Sequence, residues 1–132
     1  MKILDSDHCV AILRGQLDLG RRLAPEEELS ITAISVGELV HGATRSQRAA
    51  DNLARLDVLL AALAILPYDE WSARRFGQIK AQLERSGEII SDLDLQIASI
   101  VIEHNGVLLT HNQKHFLRLT DLANLILEDW LP

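Results

Sequence analysis

Apolar positions along this chain follow two rhythms. Lys2-Ile3-Leu4 is a short block that ends in Asp5-Ser6-Asp7, which suits a brief buried strand followed by a helix from about Ser6 to Arg14. Leu29 to Ile34 mixes β-branched residues with alternation and reads as a second strand, and Ser35 to Val40 as the start of the helix after it. Leu53, Leu56, Leu60 and Leu63 then recur at spacings of three, four and three, the mark of one buried face on a helix from about Arg45 to Ala64. Pro67 closes that helix or a short strand behind it. Asp69 can cap a further helix with Phe76, Ile79 and Leu83 on its apolar stripe and Gly87 as its stop. Ser91 to Glu103 gives another helix, ended by Asn105-Gly106. Val107 to Thr110 reads as a strand, Gln113 to Leu117 as a short helical segment and Leu125 to Leu127 as the last strand.

Strands this short and this uniformly apolar cannot face water, so their alternation with helices predicts a parallel sheet covered on both sides. The expected fold class is α/β, a three-layer sandwich with a central, mostly parallel sheet. No repeat or linker divides the chain, and Pro25-Glu26-Glu27-Glu28 reads as a surface turn, so residues 1–132 are expected to form one domain. In such sheets ligands sit beyond the C-terminal ends of the strands. The polar residues after each strand are therefore where chemistry is to be sought.

Composition narrows the classes of function. With 48% hydrophobic and 24% charged residues among 132, the chain has the make-up of a folded globular protein. Its longest apolar run, Val58 to Leu66, is nine residues and far short of a membrane span. The first residues hold one Lys and two apolar positions before Asp5, which does not read as a secretory leader, and a cytoplasmic location is expected. The single cysteine, Cys9, excludes an internal disulfide and a thiolate zinc cluster. A net charge of −6 argues against gripping nucleic acid through a basic surface. It leaves open recruitment of phosphates through a cation held by converging carboxylates.

The acids stand where convergence is possible: Asp5 with Asp7 after the first strand, Glu38 in the helix after the second, and Asp92 with Asp94 opening a later helix. Two like charges ~4 Å apart repel by ~4 kcal/mol at an effective dielectric of about 20. Protonation or a hard divalent cation must offset that, and magnesium or manganese suits an all-oxygen site. The plainer reading is local. Ser35-x-x-Glu38 and Ser91-x-x-Asp94 both match a capping box, and Asp5 and Asp7 can be turn formers.

At these residues the sequence resembles the PIN-domain family, and within it the VapC-type toxins of toxin–antitoxin pairs. The resemblance runs through ILDSDHCVAIL, ITAISVGELVHGA, GEIISDLDLQIAS, LLTHNQKHF and LEDWL, in order and across nearly the whole chain. It implies a PIN fold, divalent-metal-dependent endoribonuclease activity with a metal-activated water, an RNA substrate, inhibition by a cognate antitoxin, and a homodimer. It also implies that Asp5, Glu38 and Asp94 are the catalytic, metal-holding acids. Ser6, Asp7, Thr110, Asn112 and His115 take supporting positions. His115 stands where many relatives have an acid, and Asp7 where Asn is common.

Arg45, Arg48 and Lys114 are candidate phosphate contacts. Trp71 and Trp130 read as packing or interface residues, and Cys9 as a buried small residue. Two other readings compete. Asp5-Ser6-Asp7 also resembles the nucleophile motif of haloacid-dehalogenase-type phosphatases, with Asp5 forming a phosphoaspartate; a non-catalytic PIN-like interaction module would leave the acids dispensable. Leucines between Arg45 and Leu83 outnumber the needs of one small core, so a second subunit or an antitoxin helix is expected to cover some of them.

Overall fold

Five strands, β1 (Lys2–Leu4), β2 (Leu29–Thr32), β3 (Ala64–Leu66), β4 (Val107–Leu109) and β5 (Ile126–Glu128), form one sheet in the order β3-β2-β1-β4-β5 in the computed structural model, which describes residues 1–132. Every neighbouring pair is parallel, so the sheet is wholly rather than mostly parallel. Register aligns Leu4 with Ile31 on one side and Leu109 on the other, which brings Asp5, Thr32 and Thr110 to the same edge. The chain leaves β1 toward β2 and β3, then crosses back to β4. That reversal makes the β1/β4 junction the crevice where open α/β sheets bind ligands.

Alternate residues of β1 and β4 serve opposite faces of the sheet. Ile3 and Leu108 pack with Ile79, Leu83, Leu95, Ile100, Phe116 and Leu119 from helices α4 (Glu70–Arg85), α5 (Asp92–Glu103) and α6 (Gln113–Ala123). Leu4 and Leu109 pack with Cys9, Leu39 and Leu56 from α1 (Ser6–Leu13), α2 (Ala33–Thr44) and α3 (Ala49–Ala61), and with Trp130. These two cores make the three-layer sandwich expected from the alternation. Helix α5 has Leu95 and Ile97 to Val101 all buried, which is why its sequence is apolar nearly all round.

Four boundaries differ from the sequence reading. Helix α2 begins at Ala33, because the Thr32 hydroxyl, at the extended end of β2, accepts the Ser35 N–H at 3.1 Å. The expected helix from Arg45 starts instead at Ala49: Ser46 Oγ donates to the Ala43 carbonyl at 2.6 Å and accepts from Asn52 at 2.9 Å, which ends one helix and turns the chain into the next. Leu63 consequently falls beyond α3, and among that leucine series only Leu56 is fully buried. Helix α6 runs on to Ala123, carried by buried Phe116 and Leu119, and stops at Asn124 in the left-handed region. A 3-10 turn at Leu19–Arg21 was not anticipated. Its Asp18 cap is the local signal for it.

Candidate active site

Asp5 is the residue that leaves the central strand. Its backbone N–H extends the ladder to Leu109 O at 2.9 Å, and its side chain caps α1 by accepting the Ser6 N–H at 2.9 Å. The other carboxylate oxygen accepts the Thr110 hydroxyl at 2.8 Å, across the β1/β4 crevice. Asp5 is therefore fixed in one orientation and only 6% exposed. Burial, and then repulsion from Asp7 and Asp94, push its carboxyl above the usual range, while the Thr110 and Ser6 hydrogen bonds oppose the rise.

Glu38 lies in mid-helix on α2, and Asp94 in the first turn of α5. The capping-box reading of Glu38 is incorrect, since Thr32 rather than Ser35 is the cap. Ser91 does accept the Asp94 N–H at 3.2 Å, but the Asp94 carboxylate makes no return bond to Ser91 and faces His115 instead, with Oδ2 3.3 Å from Nδ1. Both acids are thus free of the local duty that would explain them. Glu38 Oε1 is buried without any hydrogen-bond partner. Its carboxyl is raised by burial first and then by Asp5 and Asp94. All three acids therefore feel one another. They form an open ring at the sheet edge: Glu38 and Asp94 line separate clefts, and no three His, Cys, Asp or Glu side chains in the molecule are set as a ready-made ion cage.

Around this ring the supporting residues divide. Thr110 is fully buried and its hydroxyl also accepts the Asn112 N–H at 3.2 Å, while Asn112 itself is exposed at the start of α6 and caps nothing with its side chain. Asp7 sits beside Asp5 but is committed elsewhere: its Oδ1 accepts His8 Nδ1 at 2.7 Å, and its Oδ2 accepts the His111 N–H at 2.9 Å and lies 3.4 Å from the Thr110 hydroxyl. Burial would raise its carboxyl, but those hydrogen bonds outweigh burial and hold it below the usual range. His8 was not singled out by the sequence. It is fully buried, and its Nε2 accepts the Trp130 N–H at 3.0 Å, which fixes the proton on Nδ1, facing Asp7. Asp129 pairs with His111 at 2.8 Å. A polar strap therefore runs from α1 to the chain's last residues beside the candidate site.

Two clefts open next to the acids. One, of about 470 Å³, is lined by Ser6, Val10, Glu38, Leu39 and Leu56, with Arg14 and Arg55 among its walls. The other, of about 340 Å³, holds Asp94, Lys114, His115 and Arg118. Lys114 lines the cleft that holds Asp94. Arg45 and Arg48 sit exposed on the α2–α3 turn and line neither cleft. The cations of the larger cleft are Arg14 and Arg55, which the sequence reading missed; Ser6, Val10 and Arg14 share one face of α1 at spacings of four, and that periodicity could have exposed Arg14. Trp130 is buried as packing, whereas Trp71 is 63% exposed, with the Arg74 guanidinium 5.7 Å from its ring centroid. Cys9 is buried, with its thiol pushed up to about 12 by burial and by the charges of Asp5 and Asp7.

Comparison with known proteins agrees with this fold. The PIN domain family matches residues 2–122, and the chain belongs to the PIN-domain family. Within it the similarity is to VapC proteins. Ribonuclease VapC2 of Rickettsia felis is 33% identical over 132 residues, spanning 97% of this chain and 96% of that protein. The tRNA(fMet)-specific endonuclease VapC of Shigella flexneri is 28% identical over 130 residues, spanning 97% and 96%. The crystal structure of VapBC2 from Rickettsia felis bound to a DNA fragment from its promoter superposes with a TM-score of 0.87 at 32% identity, covering 98% of each chain.

Proposed function

We propose that this protein is a divalent-metal-dependent endoribonuclease, the toxin of a VapBC-type toxin–antitoxin pair, with Asp5, Glu38 and Asp94 as the acids that hold the cation. The observation that carries the reading is the buried, unpartnered Glu38 Oε1, on a carboxyl that burial first and then Asp5 and Asp94 push upward. A carboxylate oxygen hidden from water with no donor costs about 1–3 kcal/mol or more, and a cation of oxygen preference is the partner that offsets it. The donor set, three carboxylates, suits magnesium or manganese. When bound, such a cation supplies a Lewis acid for water and phosphate and neutralises charge on the phosphoryl group in the transition state.

The chain's own residues do the rest. Thr110 and the Ser6 N–H hold Asp5 in one rotamer, so its charge is preorganised. Lys114 and Arg14, on the walls of the two clefts, supply positive charge for RNA phosphates, and Arg45 and Arg48, exposed on the α2–α3 turn, add to it at longer range. The apolar floor of the larger cleft, Val10, Leu13, Leu39 and Leu56, suits a segment of the cognate antitoxin, and Val58 and Ile65, 75% and 49% exposed, suit burial in a homodimer. No helix is long and apolar enough to cross a membrane, and the cytoplasm is the proposed location. The phosphatase reading fails on Asp7, whose carboxylate is tied to His8 and His111 rather than free as an acid beside Asp5.

The test is cleavage of total cellular RNA by purified protein. Cleavage should stop in chelator, return with magnesium or manganese, and be lost in Asp94→Asn, whose Ser91 cap is to the backbone and survives. Cleavage that persists in Asp94→Asn at parental rate would overturn the assignment.

A further inference from the structure

Two carboxylates stand within reach of one hydroxyl hydrogen at the edge of the sheet. The Thr110 oxygen lies 2.8 Å from Asp5 Oδ2 and 3.4 Å from Asp7 Oδ2, and a hydroxyl has a single hydrogen to give. At these distances it goes to Asp5, so Asp7 has to be satisfied by other donors. The His111 N–H supplies one at 2.9 Å, and His8 Nδ1 supplies the other at 2.7 Å. His8 has that hydrogen on Nδ1 because its Nε2 accepts the Trp130 N–H at 3.0 Å, where a backbone amide can only donate. Both His8 and Thr110 are fully buried, which keeps water from standing in for either donor.

We propose that His8 is a positioning residue for RNA cleavage: by donating to Asp7 it leaves the Thr110 hydroxyl to Asp5, and so holds the Asp5 carboxylate in the orientation the site uses. The inference rests on the nuclease reading above. His8 acts through two side chains, Asp7 and Thr110. Asp7 deprived of a donor becomes the stronger competitor for the hydroxyl, and Asp5 Oδ2 is then left bare. Hydrogen bonds to a ligating carboxylate fix its orientation, and their loss typically costs about 10–100-fold in affinity or activity.

Two variants separate the two nitrogens of the ring. His8→Gln keeps an acceptor for the Trp130 N–H and loses the donor to Asp7, whereas His8→Asn keeps that donor and loses the acceptor. His8→Gln should lower kcat by about tenfold with little change in KM, and Asp7→Asn added to it should restore at least about threefold, because a neutral amide oxygen competes poorly for the hydroxyl. His8→Asn should be the less stable of the two in urea and yet the faster. In chelator, the H2O/D2O isotope shift at the Asp5 Cγ resonance reads the Thr110 hydrogen bond directly: it should shrink in His8→Gln and return in the double variant. An unchanged shift in His8→Gln, a kcat that follows stability rather than the donor to Asp7, or a loss that Asp7→Asn does not relieve overturns the proposal and leaves the nuclease reading intact. A parent that cleaves no RNA overturns that reading instead, and the isotope shift still decides which carboxylate holds the hydroxyl.

Discussion

Glu38 is the carboxylate whose surroundings do least for it. Asp5 is compensated by two hydrogen bonds, whereas Glu38 Oε1 has none and faces two other acids. Replacing it with the neutral isostere should therefore stabilise the protein in chelator. For Glu38→Gln we expect a gain of about 1 kcal/mol, or roughly 3–5 °C in Tm for a chain of this size, with loss of RNA cleavage. Differential scanning fluorimetry in EDTA measures it; a lower Tm than the parent would contradict repulsion within the acid ring. Thr110 gives the opposite case. Thr110→Val leaves Asp5 Oδ2 buried without its donor, and should cost about 1–3 kcal/mol in urea unfolding. At this scale the sequence showed which residue types stood after each strand, but it could not tell a capping acid from a free one. Ser35 and Thr32 are both hydroxyls near the helix start, and only the register of β2 with β1 decides that Thr32 is the cap and Glu38 is spare.

At the level of elements, legibility tracks the range of the signal. Helix α4 begins after Asp69 and stops before Gly87 as its local sequence implies, because both cap and stop act within one turn: Asp69 accepts the Ser72 N–H at 2.9 Å, and Gly87 takes φ +69°. The α2–α3 break depends on a Ser46–Asn52 hydrogen bond that no propensity encodes. Least visible is the strap, in which His8 and Trp130 are 122 positions apart. That contact joins α1 to the C-terminal residues and orients Asp7, so its loss acts on an element rather than a side chain. His8→Phe would keep the buried volume but leave the Trp130 N–H and Asp7 Oδ1 without their partner. We expect a destabilisation of about 2–4 kcal/mol by urea unfolding, with the cation affinity of the acid ring changed far less. An affinity loss as large as that of Asp94→Asn would instead place Asp7 among the ion's ligands.

For the molecule as a whole, the parallel sheet was legible because a strand apolar on both faces can only be central, and β1 and β4 each feed both cores. Gathering acids at the edge of that sheet couples folding, pH and the cation. Asp5 and Glu38 have carboxyls raised in the folded state, so their contribution to stability is fully present below the unfolded carboxylate pKa of about 4 and is lost as pH climbs through the raised folded value. Asp7 and Glu128, held low by His8 and Lys2 among others, act in the reverse sense and lose their contribution as pH falls. The parent alone therefore mixes the two signs. Subtracting the parent from Glu38→Gln isolates one of them: in chelator, the stability advantage of the variant should be near zero at pH 4 and grow as pH rises through the raised Glu38 value. A saturating divalent cation favours the ionised ring and should reverse the ordering above that pH, adding about 2.7 kcal/mol to the parent at 100 times its Kd. Chemical unfolding from pH 4 to 8, with and without Mn2+, reads both effects. An advantage of Glu38→Gln that stays flat with pH would mean that Glu38 ionises without penalty, and the anionic ring would then need no cation to exist.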